Sequence, residues 1–248
     1  MEKEKADGIR INRYLALCGF GARRVCEEMV SAGRVTVNGE IVRDLGRRII
    51  SGKDEVLVSG KTATPIEEHL YIIVHKPRGY VVSHRGFPDQ KTVFELLPKF
   101  PKNLNYVGRL DEESEGLLIM STNGDFINKM THPRYGYGKV YLVTVTRALS
   151  GSELNSFRTG MEIDEGERTI PAQIEPLEGR ASAYRVILHE GKNRQIRRMM
   201  KVFGIGVIRL TRVAMGPVNL GNLECGSWRK LTTSELGKIK RDLKLKEI

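Results

Sequence analysis

Asn105–Ser121 reads N-Y-V-G-R-L-D-E-E-S-E-G-L-L-I-M-S, and the rest of the chain reads outward from it. An apolar start at Tyr106 and Val107 runs into Gly108, Arg109, Leu110 and Asp111. Three further acids follow (Glu112, Glu113, Glu115), and Gly116 then opens a second apolar run, Leu117–Met120. Short continuous apolar runs of this kind suit buried strands, so two strands are expected to flank a polar turn carrying one carboxylate beside an arginine. Taken alone the turn decides nothing about chemistry, since Asp commonly caps turns and helix starts.

The chain has 248 residues, 40% of them hydrophobic and 29% charged, enough to bury a sizeable core in one large or two smaller domains. No apolar run approaches the ~20 residues that span a bilayer. Met1–Asp7 is charged and has no hydrophobic signal core, so a cytoplasmic protein with no membrane attachment is expected. Cys18, Cys26 and Cys225 form no C-x-x-C pair, which favours reduced thiols. His69, His75, His84, His132 and His189 show no metal-binding spacing, so no metal is expected. The net charge of +11 fits a polyanionic partner without separating RNA from DNA or an acidic membrane surface.

Residues 1–58 read as a small module. Ile11, Tyr14, Leu15 and Leu17 recur at helical spacing and Gly19–Gly21 ends that helix; a second helix, Arg23–Ala32, is expected to bury Val25, Cys26, Met29 and Val30. Val35–Val37 and Ile41–Val42 flank Asn38-Gly39, a two-residue hairpin signal because both positions tolerate positive φ, and Val56–Val58 adds a last strand. Two short helices followed by R-V-x-V-N-G resemble the S-four-like RNA-binding module of ribosomal proteins and RNA-modifying enzymes. The resemblance implies a phosphate-facing surface made by Arg10, Arg13, Arg23, Arg24 and Arg34. Ala22 stands where that family more often has a serine cap, a loss worth about 0.5–2 kcal/mol. Ser59–Glu68 has linker composition, leaving residues 69–248 as a second domain.

In that second part Leu70–Val74 is an apolar strand followed by His75-Lys76-Pro77-Arg78-Gly79, with a polar loop at Ser83–Asp89 and a short helix over Thr92–Leu97. After the Asp111 turn come a helix over Phe126–Met130, an alternating strand Lys139–Val145 containing Tyr141, a helix Ser152–Thr159, and strands Thr169–Pro176 and Ala183–His189. Glu190–Lys201 is the densest basic stretch, with Lys192, Arg194, Arg197, Arg198 and Lys201 against one acid. Ile196, Met199, Met200 and Phe203 share one face of its helix. A further strand, Val207–Val213, and a C-terminal amphipathic helix, Ser234–Ile248, complete the chain, with Trp228 read as a core residue.

The order G-R-L-D, four residues, G-L-L, then N-G-D at Asn123–Asp125, resembles the signature of the RsuA/RluB-type ribosomal-RNA pseudouridine synthases. K-P-x-G at Lys76–Gly79, K-x-Y at Lys139–Tyr141 and G-x-x-R-Q-I-R-R-M at Gly191–Met199 resemble further motifs of that family, in its order. The resemblance covers roughly Ile9 to Leu236. It implies an α+β protein: a small N-terminal α/β RNA-binding module followed by a mixed, mainly antiparallel-sheet catalytic domain. It also implies roles. Asp111 is the catalytic carboxylate, Tyr141 sits against the target uracil, and Arg197 pairs with Asp111; Arg109 fills the space left by the flipped base or binds phosphate. Lys76, Arg78, Lys192, Arg194 and Arg198 join the RNA-binding set.

The implied reaction breaks the N1–C1′ bond of a uridine, turns the uracil and rejoins it through C5. Atoms are only rearranged, so no cofactor is expected, and one ionised carboxylate near the sugar suffices as nucleophile at C1′ or base at C2′. An arginine beside it would keep it ionised. The expected partner is ribosomal RNA or a partly assembled subunit, with 23S favoured over 16S, and the expected state is a monomer. Two rivals stand beside this reading. One is a non-catalytic RNA-binding or ribosome-assembly factor on the same scaffold. The other is a metal-dependent nucleic-acid hydrolase, which would want further carboxylates for its metal.

Overall fold

The computed structural model describes residues 8–66, 68–101 and 103–244. The charged start at 1–7, Glu67 within the expected linker, and the last of the Lys-rich tail at 245–248 lie outside them.

The first part folds as expected from its local signals. Helices α1 (Ile11–Leu17) and α2 (Arg23–Ser31) pack on a four-stranded sheet of β1 (Val35–Val37), β2 (Glu40–Val42), β3 (Val56–Val58) and β4 (Lys61–Thr62), in the order β2-β1-β3-β4. Asn38 at φ 53° and Gly39 at φ 86° make the hairpin, the two successive positive angles that a type I′ turn requires. Ile11, Leu15, Cys26, Val30, Val35 and Ile49 are fully buried, each stabilising the module by about 1.5–3 kcal/mol. Val25, expected inside, is 39% exposed. The helix instead buries Cys26 and Val30, so its apolar stripe is narrower than the spacing alone indicated. As its identity dictates, Ala22 caps α2 without a side-chain bond. The expected linker is shorter than 59–68: β4 pairs with β3, Ala63 is buried in this core, and the Tyr14 hydroxyl donates to the Ala63 carbonyl at 3.0 Å.

The second part is built on β5 (Tyr71–Lys76), β6 (Glu115–Ser121), β7 (Lys139–Val145), β8 (Gln173–Pro176), β9 (Ala183–Leu188), β10 (Val207–Met215) and β11 (Trp228–Lys230). They lie in the order β8-β9-β7-β10-β6-β5-β11, and along this path only β6 and β10 run parallel. Asn105–Tyr106 pairs back on β6, so the two strands flanking the Asp111 turn form one antiparallel pair. All seven residues of β6 are buried, as its unbroken apolar pattern requires of a central strand. Of the expected strand Thr169–Pro176, only β8 is extended and paired.

Helices cover both faces. On one lie α4 (Gly151–Thr159), through Phe157, and α5 (Gln195–Val202), through Ile196, Met199 and Met200; on the other lie α3 (Gly124–Thr131), through Phe126 and Met130, and α6 (Thr233–Asp242), through Ile239. Three capping boxes fix where elements begin: Thr92 with Glu95, Ser150 with Glu153, and Thr232 with Glu235, each pair satisfying backbone donors that a helix start leaves open. The Thr92 box begins a single 3₁₀ turn, Val93–Leu96. Trp228 is half-buried and packs edge-on against Phe100 at 5.0 Å. No helix among the described residues is long and apolar enough to cross a membrane.

Candidate active site

The 111–114 loop is held from several sides. Lys76, read from sequence as a phosphate contact, is fully buried. Its ammonium donates to the carbonyls of Pro77 at 2.8 Å, Glu112 at 3.3 Å and Ser114 at 2.6 Å, so its donors hold the loop and none faces RNA. The Gly79 amide adds a bond to the Glu112 carbonyl at 2.9 Å, and the Gln90 amide group donates to the Glu112 carboxylate at 3.0 Å. From the far side Arg194 meets the Glu113 carboxylate at 2.8 Å, and Arg197 donates to the Glu113 carbonyl at 3.1 Å and the Val207 carbonyl at 3.2 Å.

Burial pushes the Lys76 ammonium from 10.5 down to about 8, against the opposing pull of Asp111, Glu112 and Glu115. The folded chain therefore binds this proton less tightly than the unfolded chain. The resulting cost, roughly 3 kcal/mol, is carried below about pH 8 and relieved as pH rises toward about 10.5. Urea unfolding of wild type and Lys76→Met across that interval is the check: wild type should gain on the variant as pH rises, and parallel curves would contradict the burial.

Arg197 does not pair with Asp111 as expected. It lies at 3.5 Å from the Glu113 carboxylate, because one of its terminal nitrogens is taken by the Glu113 carbonyl and the other by the Val207 carbonyl of β10. Asp111 still acts on it through space, and burial lowers the Arg197 pKa. Arg198 is also corrected: it bonds to Asp164 and Glu167, which ties α5 to the 162–168 hairpin and leaves it only 19% exposed. Lys192 meets the same Glu167 at 3.2 Å. Arg13 reaches Asp125 on α3 at 3.2 Å, linking the two parts of the chain. Arg10, Arg23, Arg24, Arg34, Arg78 and Arg109 are exposed.

Asp111 and Tyr141 share a cleft of about 560 Å³ that Arg109, Lys192 and Arg194 also line. Asp111 is half-buried, and its carbonyl accepts from the Ser114 amide at 3.0 Å, closing the turn. Tyr141 is 9% exposed, part of the core and of the cleft wall at once. The other acids of the cluster are occupied elsewhere. Although burial raises the Glu115 pKa, hydrogen bonds from Thr211 at 2.8 Å and Arg209 at 2.5 Å outweigh it and lower the net value; Glu113 is held low by Arg194. Neither lines the cleft. Glu190 does, but it accepts from the Gln195 side chain at 2.7 Å and the Ile170 amide at 3.0 Å. Among the described residues no group of three or more His, Cys, Asp or Glu is placed to hold a metal.

Sequence reasoning missed most of the cleft lining, including the polar groups of Ser114, Tyr137, Lys139 and Arg212. One signal was present. Strand alternation puts Arg212 on the same face as Leu210, an inward place for a charge.

Comparison with known proteins identifies the family. Residues 70–201 match the family described as RNA pseudouridylate synthase, and residues 9–56 match the S4 domain. An uncharacterized RNA pseudouridine synthase of Aquifex aeolicus is 37% identical over 97% of each chain. Ribosomal large subunit pseudouridine synthase B of Bacillus subtilis is 33% identical, over 93% of this chain and 95% of that one. A crystal structure of a pseudouridylate synthase superposes with a TM-score of 0.68 at 29% identity, covering 94% of this chain and 100% of that one. The chain belongs to the RNA pseudouridylate synthase family and is an RNA pseudouridine synthase, an isomerase.

Proposed function

We propose that this enzyme converts a specific uridine of ribosomal RNA to pseudouridine, with large-subunit rRNA favoured, and that Asp111 is the carboxylate acting at the sugar. The observation that carries the reading is the cleft itself: of its two carboxylates Glu190 is held by hydrogen bonds, whereas that of Asp111 has neither an ion pair nor a hydrogen bond among the described residues, and it shares the cleft with a wall tyrosine and an arginine-lined rim. The large-subunit preference leans on the Bacillus subtilis relative, named for that subunit.

In this reading Tyr141 presents its ring to the uracil, while Arg197 holds the loop that carries Asp111 and adds positive field. Arg109, exposed at the mouth, takes the space of the flipped base or a backbone phosphate. Unstacking that base costs a few kcal/mol, which contacts elsewhere on the RNA must offset. Arg10, Arg23, Arg24 and Arg34 on the first module, with Arg78, Lys192 and Arg194, supply them. The enzyme works as a monomer in the cytoplasm, on naked rRNA or a partly assembled subunit.

Tritium release from 23S and 16S transcripts labelled at C5 of uridine tests this, because C5 loses its hydrogen when the new bond forms. Faster release from 23S is expected. Release from 16S alone would overturn the subunit preference. Release from neither, with none from assembling particles, would favour the non-catalytic RNA-binding factor.

Arg23→Ala with Arg24→Ala should raise KM, leave kcat near wild type, and flatten the dependence of log affinity on log salt by about 2. A fall in kcat alone would contradict the holding role of the first module.

A further inference from the structure

Two full cations lie buried beside Gly116, and they differ in one respect. Lys76 and Arg212 are the residues paired with Gly116 on β5 and β10. The three donors of Lys76 all have carbonyl partners. Arg212, only 2% exposed, donates through Nε to the Leu117 carbonyl at 2.8 Å, but its Nη2 has no partner. Arg212 lines the cleft floor with Tyr141, its register partner on β7, and with Lys139. Ser114 lines it too and is 1% exposed, and its hydroxyl is likewise without a partner.

Lys139 and Arg212 stand close enough that, after burial, the Arg212 charge is the next largest influence lowering the Lys139 pKa. Among the described residues no carboxylate lies within ion-pair distance of either. Glu190, on the same cleft, pulls the Lys139 pKa the other way but less strongly. Two like charges this close are costly unless a further negative partner arrives, and the unmet Arg212 donor adds to the cost. The reaction supplies such a partner. When N1–C1′ breaks, its electron pair stays on the uracil as the anion. C5 then bonds to C1′, C5 gives up a proton and N1 gains one, so the product is an isomer of the starting nucleotide.

We propose that Arg212, seconded by Lys139 and Ser114, forms a subsite for the base itself, its Nη2 donating to a carbonyl oxygen of the uracil and stabilising the detached anion. A base fits this floor better than a phosphate does, because Tyr141, Leu210 and Met215 make the neighbouring wall and the exposed arginines stand at the rim. The inference rests on the family's reaction and not on which RNA is the substrate.

The first test is side-chain NMR of the full chain labelled with ¹⁵N-arginine, the Arg212 signal assigned with Arg212→Lys. Titration with uridine should shift that signal, and ribose 5-phosphate should leave it in place. No shift with uridine up to its solubility limit, or an equal shift with ribose 5-phosphate, would overturn the proposal. The second test is single-turnover tritium release. Arg212→Met should lose about 10²–10³-fold, the loss typical of removing one oxyanion donor, with RNA affinity unchanged and part of the rate restored in Arg212→Lys. Full activity in Arg212→Met would count against the subsite. Should the Arg212 variants fail to fold, Lys139→Met is expected to lower the rate at unchanged affinity, and a wild-type rate there would overturn it. Failure of wild type on every rRNA would sink the substrate assignment, whereas the uridine titration would still decide this one.

Discussion

Asp111→Asn is expected to abolish tritium release, lowering the rate by about 10⁴-fold or more, the scale for removing a group that acts directly on the reacting atoms. RNA affinity should stay within about twofold, because a single half-buried carboxylate contributes little to a phosphate-dominated interface. The substitution is a clean test for a structural reason. The bonds that hold the 111–114 loop run to the carbonyls of Glu112, Glu113 and Ser114 and to the Glu112 and Glu113 carboxylates. None uses the Asp111 side chain, so the loop should keep its place while the charge is lost. An amide of the same shape is neither a competent nucleophile at C1′ nor a base at C2′. If the variant turned over at even a tenth of the wild-type rate, the chemistry would have to move to another group. Glu190 is the other carboxylate lining the cleft, and it would be the next to test.

Gly116→Ala should cost on the order of 2–6 kcal/mol, combining backbone strain with an overpacked contact. That is a large share of the ~5–15 kcal/mol that holds a typical domain together. Gly116 has φ +107°, and a Cβ placed there would lie 2.3 Å from the Arg212 carbonyl oxygen and 2.8 Å from its amide nitrogen. These are backbone atoms of the parallel neighbour and have no rotamer to give, so β6 and β10 would have to separate at the centre of the sheet. Gly124→Ala is the control, since Gly124 opens α3 with no atom within 4 Å of an added Cβ. That change should be within about 1 kcal/mol of wild type. Urea unfolding of both variants measures the difference. A Gly116→Ala protein as stable as the control would mean that the parallel pairing of Gly116 with Arg212 is wrong. Where the variant folds, displacement of Arg212 should also lower turnover.

The chain by itself determined those features whose causes are local. Asn38-Gly39 had to turn, because both positions carry positive φ. Ile196, Met199 and Met200 had to face inward together, because their spacing puts them on one stripe of α5. The two apolar runs around Asp111 had to become strands, and the order of the motifs identified the family before any fold was in view.

What only the tertiary structure decided concerns charges, whose place depends on distant partners. Lys76 sits on an apolar strand and before a turn, where an exposed and a buried lysine read alike in sequence. Three carbonyls brought from the turn after Pro77 and from the 112–114 loop draw it inward. Arg197 and Arg198 look equivalent in a basic run, yet one clamps Glu113 and the other meets Asp164 and Glu167, carboxylates that sequence separation hid. Arg212 is the sharpest case. Alternation places it on an inward face, but whether that face meets core or cleft is set by β6 and β7 on either side of β10. A side chain's periodicity is written in its neighbours along the chain; the counter-charge or carbonyl that makes its burial tolerable comes from across the sheet.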